Sequence, residues 1–219
     1  MEEWTLISSG GTDWLTYVFT FNFLLFVFCK WRYQQQFFSF FRVIDTPLYF
    51  NSYGDRPIHQ QGFMVLSIVF SLINLSLITG FYLAEYQSIA FDFRLFISLL
   101  LGISGIVVLR QIAVMIAGYF FQILPFIQQY QFRITTYFFR LNILIFVGLI
   151  LYQYTFSFSS IFYASFALVT LLLYLLYHLL VIKQLFSTIN QGGLYFILYL
   201  CTLKLSPWIL LINGLKLSL

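Results

Sequence analysis

Residues 141–151 read LNILIFVGLIL, with Asn142 as the polar side chain among them. A helix wetted on one side would carry apolar residues at a period of 3.6, and a half-buried strand would alternate at a period of 2. Neither period is present. A strand of a membrane barrel would alternate polar and apolar over about ten residues, and this run does not alternate. What fits is a helix that is apolar all round and satisfies its own backbone in a solvent with no hydrogen bonds to offer. Extended to Tyr137 and Tyr154, the run approaches the roughly 20 residues that a membrane crossing needs.

The rest of the chain has the same character. Of its 219 residues 61% are hydrophobic and 8% charged, where a soluble domain carries about 25% charged residues. The mean hydropathy is +0.91. Apolar windows place a first span at about Asp13–Cys29, closed by Lys30, Trp31 and Arg32. A second runs Gly62–Ala84, and a third from Leu95 past Arg110 to about Gly118. The fourth is Tyr137–Tyr154; the Ser-rich turn Ser157–Ser160 leads to the fifth, Ile161–Leu180. The sixth follows Gln191, Gly192 and Gly193, runs to about Ile212, and contains Pro207. The fold class is therefore all-α, a polytopic transmembrane bundle of about six spans forming one domain over residues 1–219.

Between the first two spans, Phe37, Phe38, Phe40, Phe41, Leu48, Tyr49 and Phe50 interleave with Gln34–Gln36, Arg42 and Asp45. That pattern predicts an amphipathic helix in the interface plane, within a cytoplasmic or interfacial segment 33–61, with Pro47 ending it. Tyr119–Phe132 has two readings: a second interfacial element, or the end of a long third helix kinked at Pro125.

Short loops rich in Lys and Arg stay in the cytoplasm. With the N-terminus outside, Lys30, Arg32, Arg42, Arg56, Arg133, Arg140 and Lys183 fall inside, whereas Arg94 and Lys216 fall outside. The acids lean the other way, with Glu2, Glu3, Asp13, Glu85 and Asp92 outside and Asp45 and Asp55 inside. Both termini are thus expected outside, which in a bacterium means the periplasm. The acidic start Met1–Trp4 lacks the basic region of a secretory signal, so the first run reads as a retained span. The net charge of +4 comes with no basic run. It reflects topology rather than nucleic-acid binding.

An ionisable residue inside a span costs roughly 2.5 to 3.5 kcal/mol on insertion scales and is a candidate site by default. Arg110 lies about 22 Å from the outer edge of the third span, within snorkelling reach of the inner headgroups. Lys204 falls near the middle of the sixth. No carboxylate shares their depth, so water, freed backbone carbonyls, an anionic lipid or a partner's acid must compensate. His178, near the inner end of the fifth span, and Arg140, at the start of the fourth, complete the candidate contact residues.

Asn22, Ser67, Ser71, Asn74, Ser76, Thr79, Ser98, Ser104, Asn142, Gln153 and Thr170 are expected to join helices by hydrogen bonds. Gly102 and Gly105 are expected to permit a close helix crossing. Cys29 and Cys201 read as small apolar fillers. Two distant histidines and two apolar cysteines make no metal-ligand spacing, and no cofactor is expected. Nor is there an HExxH, a GxSxG, a phosphate loop or a pair of embedded acids.

Tyr199, Leu200, Cys201, Thr202 and Leu203, followed by Pro207, resemble the signature of an uncharacterised family of multi-span inner-membrane proteins of Bacteroidota. The resemblance includes Arg110 and the basic approach to the fourth span, and covers the last two thirds of the chain. One departure is Lys204, a position more often acidic in that pattern. The resemblance implies a bacterial inner membrane and a six-helix-like bundle, with no activity attached.

Two functional readings remain. One is a non-enzymatic subunit or accessory factor of an inner-membrane assembly, binding membrane lipids and other membrane protein subunits. The other is a small transporter or lipid-handling protein with an anion cavity near Arg110 and Lys204.

Overall fold

The computed structural model describes residues 13–41, 62–87, 90–120, 124–155 and 160–186. The described residues form helices and short connections, with no strand among them. In chain order they are α1 (Asp13–Arg32), α2 (Gln34–Phe41), α3 (Gly62–Gln87), α4 (Phe93–Phe120), α5 (Leu124–Tyr154) and α6 (Ser160–Phe186). All but α2 are long and apolar enough to cross a membrane, which makes five such helices among the described residues. The expected sixth span, with Cys201, Lys204 and Pro207, lies outside them.

Helix ends follow local chemistry. Asp92 caps α4: its carboxylate accepts from the Leu95 N–H at 2.9 Å and its carbonyl from the Phe96 N–H at 3.1 Å. That satisfies amides which a helix start leaves unpaired. Pro125 sits in the first turn of α5, where a missing N–H costs nothing. The expectations for Tyr119–Phe132 are therefore corrected. This stretch is neither a separate interfacial element nor a kinked end of α4; α4 stops at Phe120 and a new helix starts at Leu124. At 31 residues, α5 is about 46 Å long, so the end bearing Gln128, Gln129, Gln131 and Arg133 outruns a hydrocarbon core of about 30 Å.

α3 and α5 pack on each other at the centre, with α1 and α4 against α3 and α6 against α5. Phenylalanine fills the seam. Phe139 meets Phe40, Phe63 and Phe70 with ring centroids at 5.1, 5.8 and 5.5 Å, and Phe70 meets Phe146 at 5.5 Å. Such tilted and edge-on pairs add about 0.5 to 1.5 kcal/mol each beyond the area they bury. Glycine admits two further rings, Phe91 over Gly80 and Phe166 over Gly148, where a Cβ would collide with the aromatic edge. Gly102 and Gly105, expected at a crossing, have no neighbour within 4 Å among the described residues.

The polar residues divide by type. Asn22 donates to the Asn74 side chain at 2.9 Å, and Asn74 donates to the Asn142 carbonyl at 3.4 Å. All three are fully buried; the Asn22 and Asn74 side chains join α1, α3 and α5 as expected, whereas Asn142 contributes its backbone carbonyl and its own amide donates to the Phe138 carbonyl one turn back. Most serine and threonine hydroxyls do not join helices. Ser67, Ser71, Ser76, Thr79 and Thr136 donate to carbonyls one turn back in their own helix, and Ser104 and Thr170 to carbonyls three residues back. A short hydroxyl finds its nearest acceptor there.

The amphipathic helix exists as α2, and it continues α1 with one turn residue between them, Tyr33. Its apolar face covers protein. Phe37 and Phe40 are buried, with Phe37 against Phe26 and Phe40 against Phe63, while Phe38 stays exposed. The remainder of segment 33–61, from Arg42 on, lies outside the described residues.

Candidate interface at the basic end

The helices place opposite charges at opposite ends. Trp14, Glu85, Phe91, Phe93, Tyr152 and Tyr154 mark one end. Trp14 meets the Phe91 and Phe93 rings at 5.1 and 5.8 Å, the Tyr152 hydroxyl donates to Glu85 at 3.2 Å, and the Thr16 and Tyr154 hydroxyls share a 2.8 Å hydrogen bond. The described acids, Asp13, Glu85 and Asp92, all belong to this end, with Arg94 among them. Lys30, Arg32, Arg110, Arg133, Arg140 and Lys183 lie towards the other. At about 1.5 Å per residue, Lys30, Arg110 and His178 are about 26 Å from the acidic-end starts of their helices, and Arg140 is about 21 Å from the end of α5. They form a layer just inside the far edge of a core about 30 Å thick.

Within that layer Arg140 is held by this chain. Its guanidinium donates to the Phe40 carbonyl and lies 5.0 Å from the Phe40 ring centre and 5.8 Å from that of Tyr137. Tyr137 in turn stacks on Tyr177 of α6 at 5.2 Å. A cation over an aromatic face, joined to a carbonyl, fastens α2 to α5 and α6. Arg140 thus acts in internal packing.

Arg110 is placed differently. It is half-buried on α4 and makes no hydrogen bond or ion pair among the described residues. Its neighbour Gln111 donates to Gln131 of α5 at 2.7 Å, pinning this level of α4 to α5. Tyr174 of α6 lies within electrostatic range of Arg110, and the Tyr174 ring packs on His178 at 4.6 Å. The His178 Nε2 is buried with no hydrogen-bond partner among the described residues. Tyr174 thus relates to both Arg110 and His178, whereas Arg140 is occupied by Phe40 and Tyr137; Lys204 lies outside the described residues. The reading of the sequence missed Tyr174 and the Gln111–Gln131 pair. Gln111 carried a signal, an amide between Arg110 and Ile112 deep in an apolar run; Tyr174 carried none, being one ring among many.

Half of the apolar stretch of α3 and of α5 is buried, against 6% of α4 and 11% of α6. One exposed face of α4 carries Ser98, Gly102, Gly105, Leu109 and Ile112, at intervals of three and four residues, with Leu101 beside Gly102. Leu101 and Leu109 are 66% and 69% exposed. On the acidic side, Trp14, Phe21, Ile73, Phe93, Phe96 and Leu100 line an open groove of about 490 Å³ whose walls are apolar.

A family model described as a domain of unknown function matches residues 15–215, a longer stretch than the C-terminal resemblance covers. No curated protein and no solved structure matches the chain.

Proposed function

Since the chain belongs to DUF4271, a family of unknown function whose model spans residues 15–215, we propose from its own residues that it is a non-enzymatic subunit or accessory factor of a membrane assembly, holding partner helices and anionic lipid. The membrane is the inner membrane of a bacterium of the Bacteroidota, which the Tyr199–Leu203 signature supports. The basic end faces the cytoplasm and both termini face the periplasm, in keeping with the positive-inside rule.

The observation that carries this reading is the outward face of α4. Lipid gains nothing from glycine, whereas helix partners in membranes approach each other over small residues. Gly102 and Gly105 nonetheless stand on an exposed face with nothing above them among the described residues, and α4 has the smallest buried share of the five long helices described. The groove near Trp14, with apolar walls, lends nothing to a transport path for an anion.

The test is purification in mild detergent with a photo-crosslinker at position 105, comparing the parent with Gly102→Trp. The expected result is a crosslink to a second membrane protein that co-purifies in fixed ratio and is lost on Gly102→Trp, while the bundle stays folded. A crosslink to the chain's own residues 187–219, or partner retention by Gly102→Trp, would overturn the reading.

A further inference from the structure

We propose that Arg110, Tyr174 and His178 form a binding site for the phosphate of an anionic glycerophospholipid, seated between α4 and α6 in the leaflet at the basic end. The inference deepens the lipid arm of the proposed function, and rests on that reading for the membrane and its orientation.

Charge is the first argument. Arg110 sits about 26 Å along α4, and among the described residues no carboxylate lies at this end: Asp13, Glu85 and Asp92 are all at the other. A guanidinium at the edge of hydrocarbon needs an anion, and its planar fork suits two phosphate oxygens at once. Arg140 shows the contrast, since the chain gives it a carbonyl and two rings, whereas Arg110 has no such partner among the described residues.

His178 carries a second deficiency. A buried ring nitrogen without a hydrogen bond is costly, and Nε2 of His178 is in that state. Its ring is fixed by packing on Tyr174 at 4.6 Å, and Tyr174 is within electrostatic range of Arg110. An anionic oxygen entering here would accept from the Arg110 guanidinium, the Tyr174 hydroxyl and an N–H at His178 Nε2. One ligand answers both deficiencies.

The surroundings decide between a lipid and a free phosphate. On α6, Leu171 and Leu175 lie within a turn of Tyr174 and His178 and are exposed and apolar, as is Leu109 beside Arg110 on α4. A soluble anion would have to cross that surface with no hydration. A lipid presents its phosphate at headgroup depth and lays its acyl chains along those side chains.

The test is native mass spectrometry of the full chain released from micelles containing phosphatidylglycerol or phosphatidylcholine, with inorganic phosphate as a competitor. The parent is expected to retain phosphatidylglycerol in preference to phosphatidylcholine, undiminished by inorganic phosphate. Arg110→Gln removes a charge-assisted pair and is expected to weaken retention about tenfold to a hundredfold. His178→Phe keeps the ring on Tyr174 and removes the nitrogen; it is expected to weaken retention about threefold to tenfold, and is read alone if Arg110→Gln does not fold. Equal retention by parent and variants overturns the site, as does competition by inorganic phosphate with no preference between lipids. A parent that keeps a protein partner but no lipid overturns the site alone; one that keeps neither overturns the proposed function as well.

Discussion

Replacing Asn74 with leucine removes the middle of the asparagine chain without changing much volume. Asn74 is fully buried and touches two other helices, accepting from Asn22 at 2.9 Å and donating to the Asn142 carbonyl at 3.4 Å. A hydrogen bond between helices in a membrane protein is worth about 0.6 kcal/mol on average and about 1.7 at most. The second bond, at 3.4 Å, belongs at the low end. Asn22 would also keep a buried amide with neither end paired, since its Oδ1 already lacks a partner among the described residues, and a stranded buried group costs about 1 to 3 kcal/mol. The Asn74→Leu variant should therefore lose about 2 kcal/mol. The assay is reversible unfolding in mixed micelles titrated with sodium dodecyl sulfate. In a cycle with Asn22→Leu, the double variant should regain about 1 kcal/mol relative to the sum of the singles, because no amide is then left stranded. Additive singles, or an Asn74→Leu variant as stable as the parent, would refute the reasoning.

Three other perturbations follow from the packing. Gly148→Leu drives a side chain into the Phe166 ring and should cost about 1 to 3 kcal/mol as overpacking in the same titration, whereas Gly102→Leu, with nothing above it among the described residues, should leave the isolated bundle's stability unchanged. Arg140→Gln removes the cation over Phe40 and Tyr137 and should free α2, at about 1 to 2 kcal/mol, read as faster proteolysis within Gln34–Phe41 than in the parent. Asp92→Ala uncaps α4 and should cost about 1 kcal/mol, with faster amide exchange confined to its first turn.

The membrane-length helices were legible in the sequence because an all-round apolar run leaves the backbone few alternatives. Helix partners were less so. Asn22 and Asn74 could be expected to bridge helices, since an amide carries both a donor and an acceptor and its own helix rarely satisfies both; Asn142 reads the same way in sequence, yet its amide turns back to the Phe138 carbonyl. Ser67 and Ser71 look equivalent in sequence, yet their hydroxyls reach a carbonyl of α3 itself. The Phe37 and Phe40 stripe had the same period whether it met headgroups or Phe63 and Phe139, so the pattern gave α2 its face and left open what the face covers. Glycine was ambiguous in the same way: Gly80 and Gly148 take rings, Gly102 and Gly105 take nothing among the described residues, and composition alone does not rank them. At the basic end, the lone Arg110 was visible as a cation in an apolar run. That Arg140 would be occupied by Phe40, distant in sequence, depends on how α2 folds back.

The most direct measurement of the account is the side from which each end of the bundle can be reached. With Cys201 replaced by serine and Cys29 left in its fully buried position, a cysteine is placed at exposed Gln87 on the acidic end or at exposed Trp31 on the basic end. An impermeant thiol reagent applied to intact spheroplasts should label position 87 at once and position 31 only after the membrane is opened. Labelling of both from the same side, or of position 31 alone in sealed spheroplasts, would contradict a bundle that crosses the bilayer with its cations in the cytoplasm.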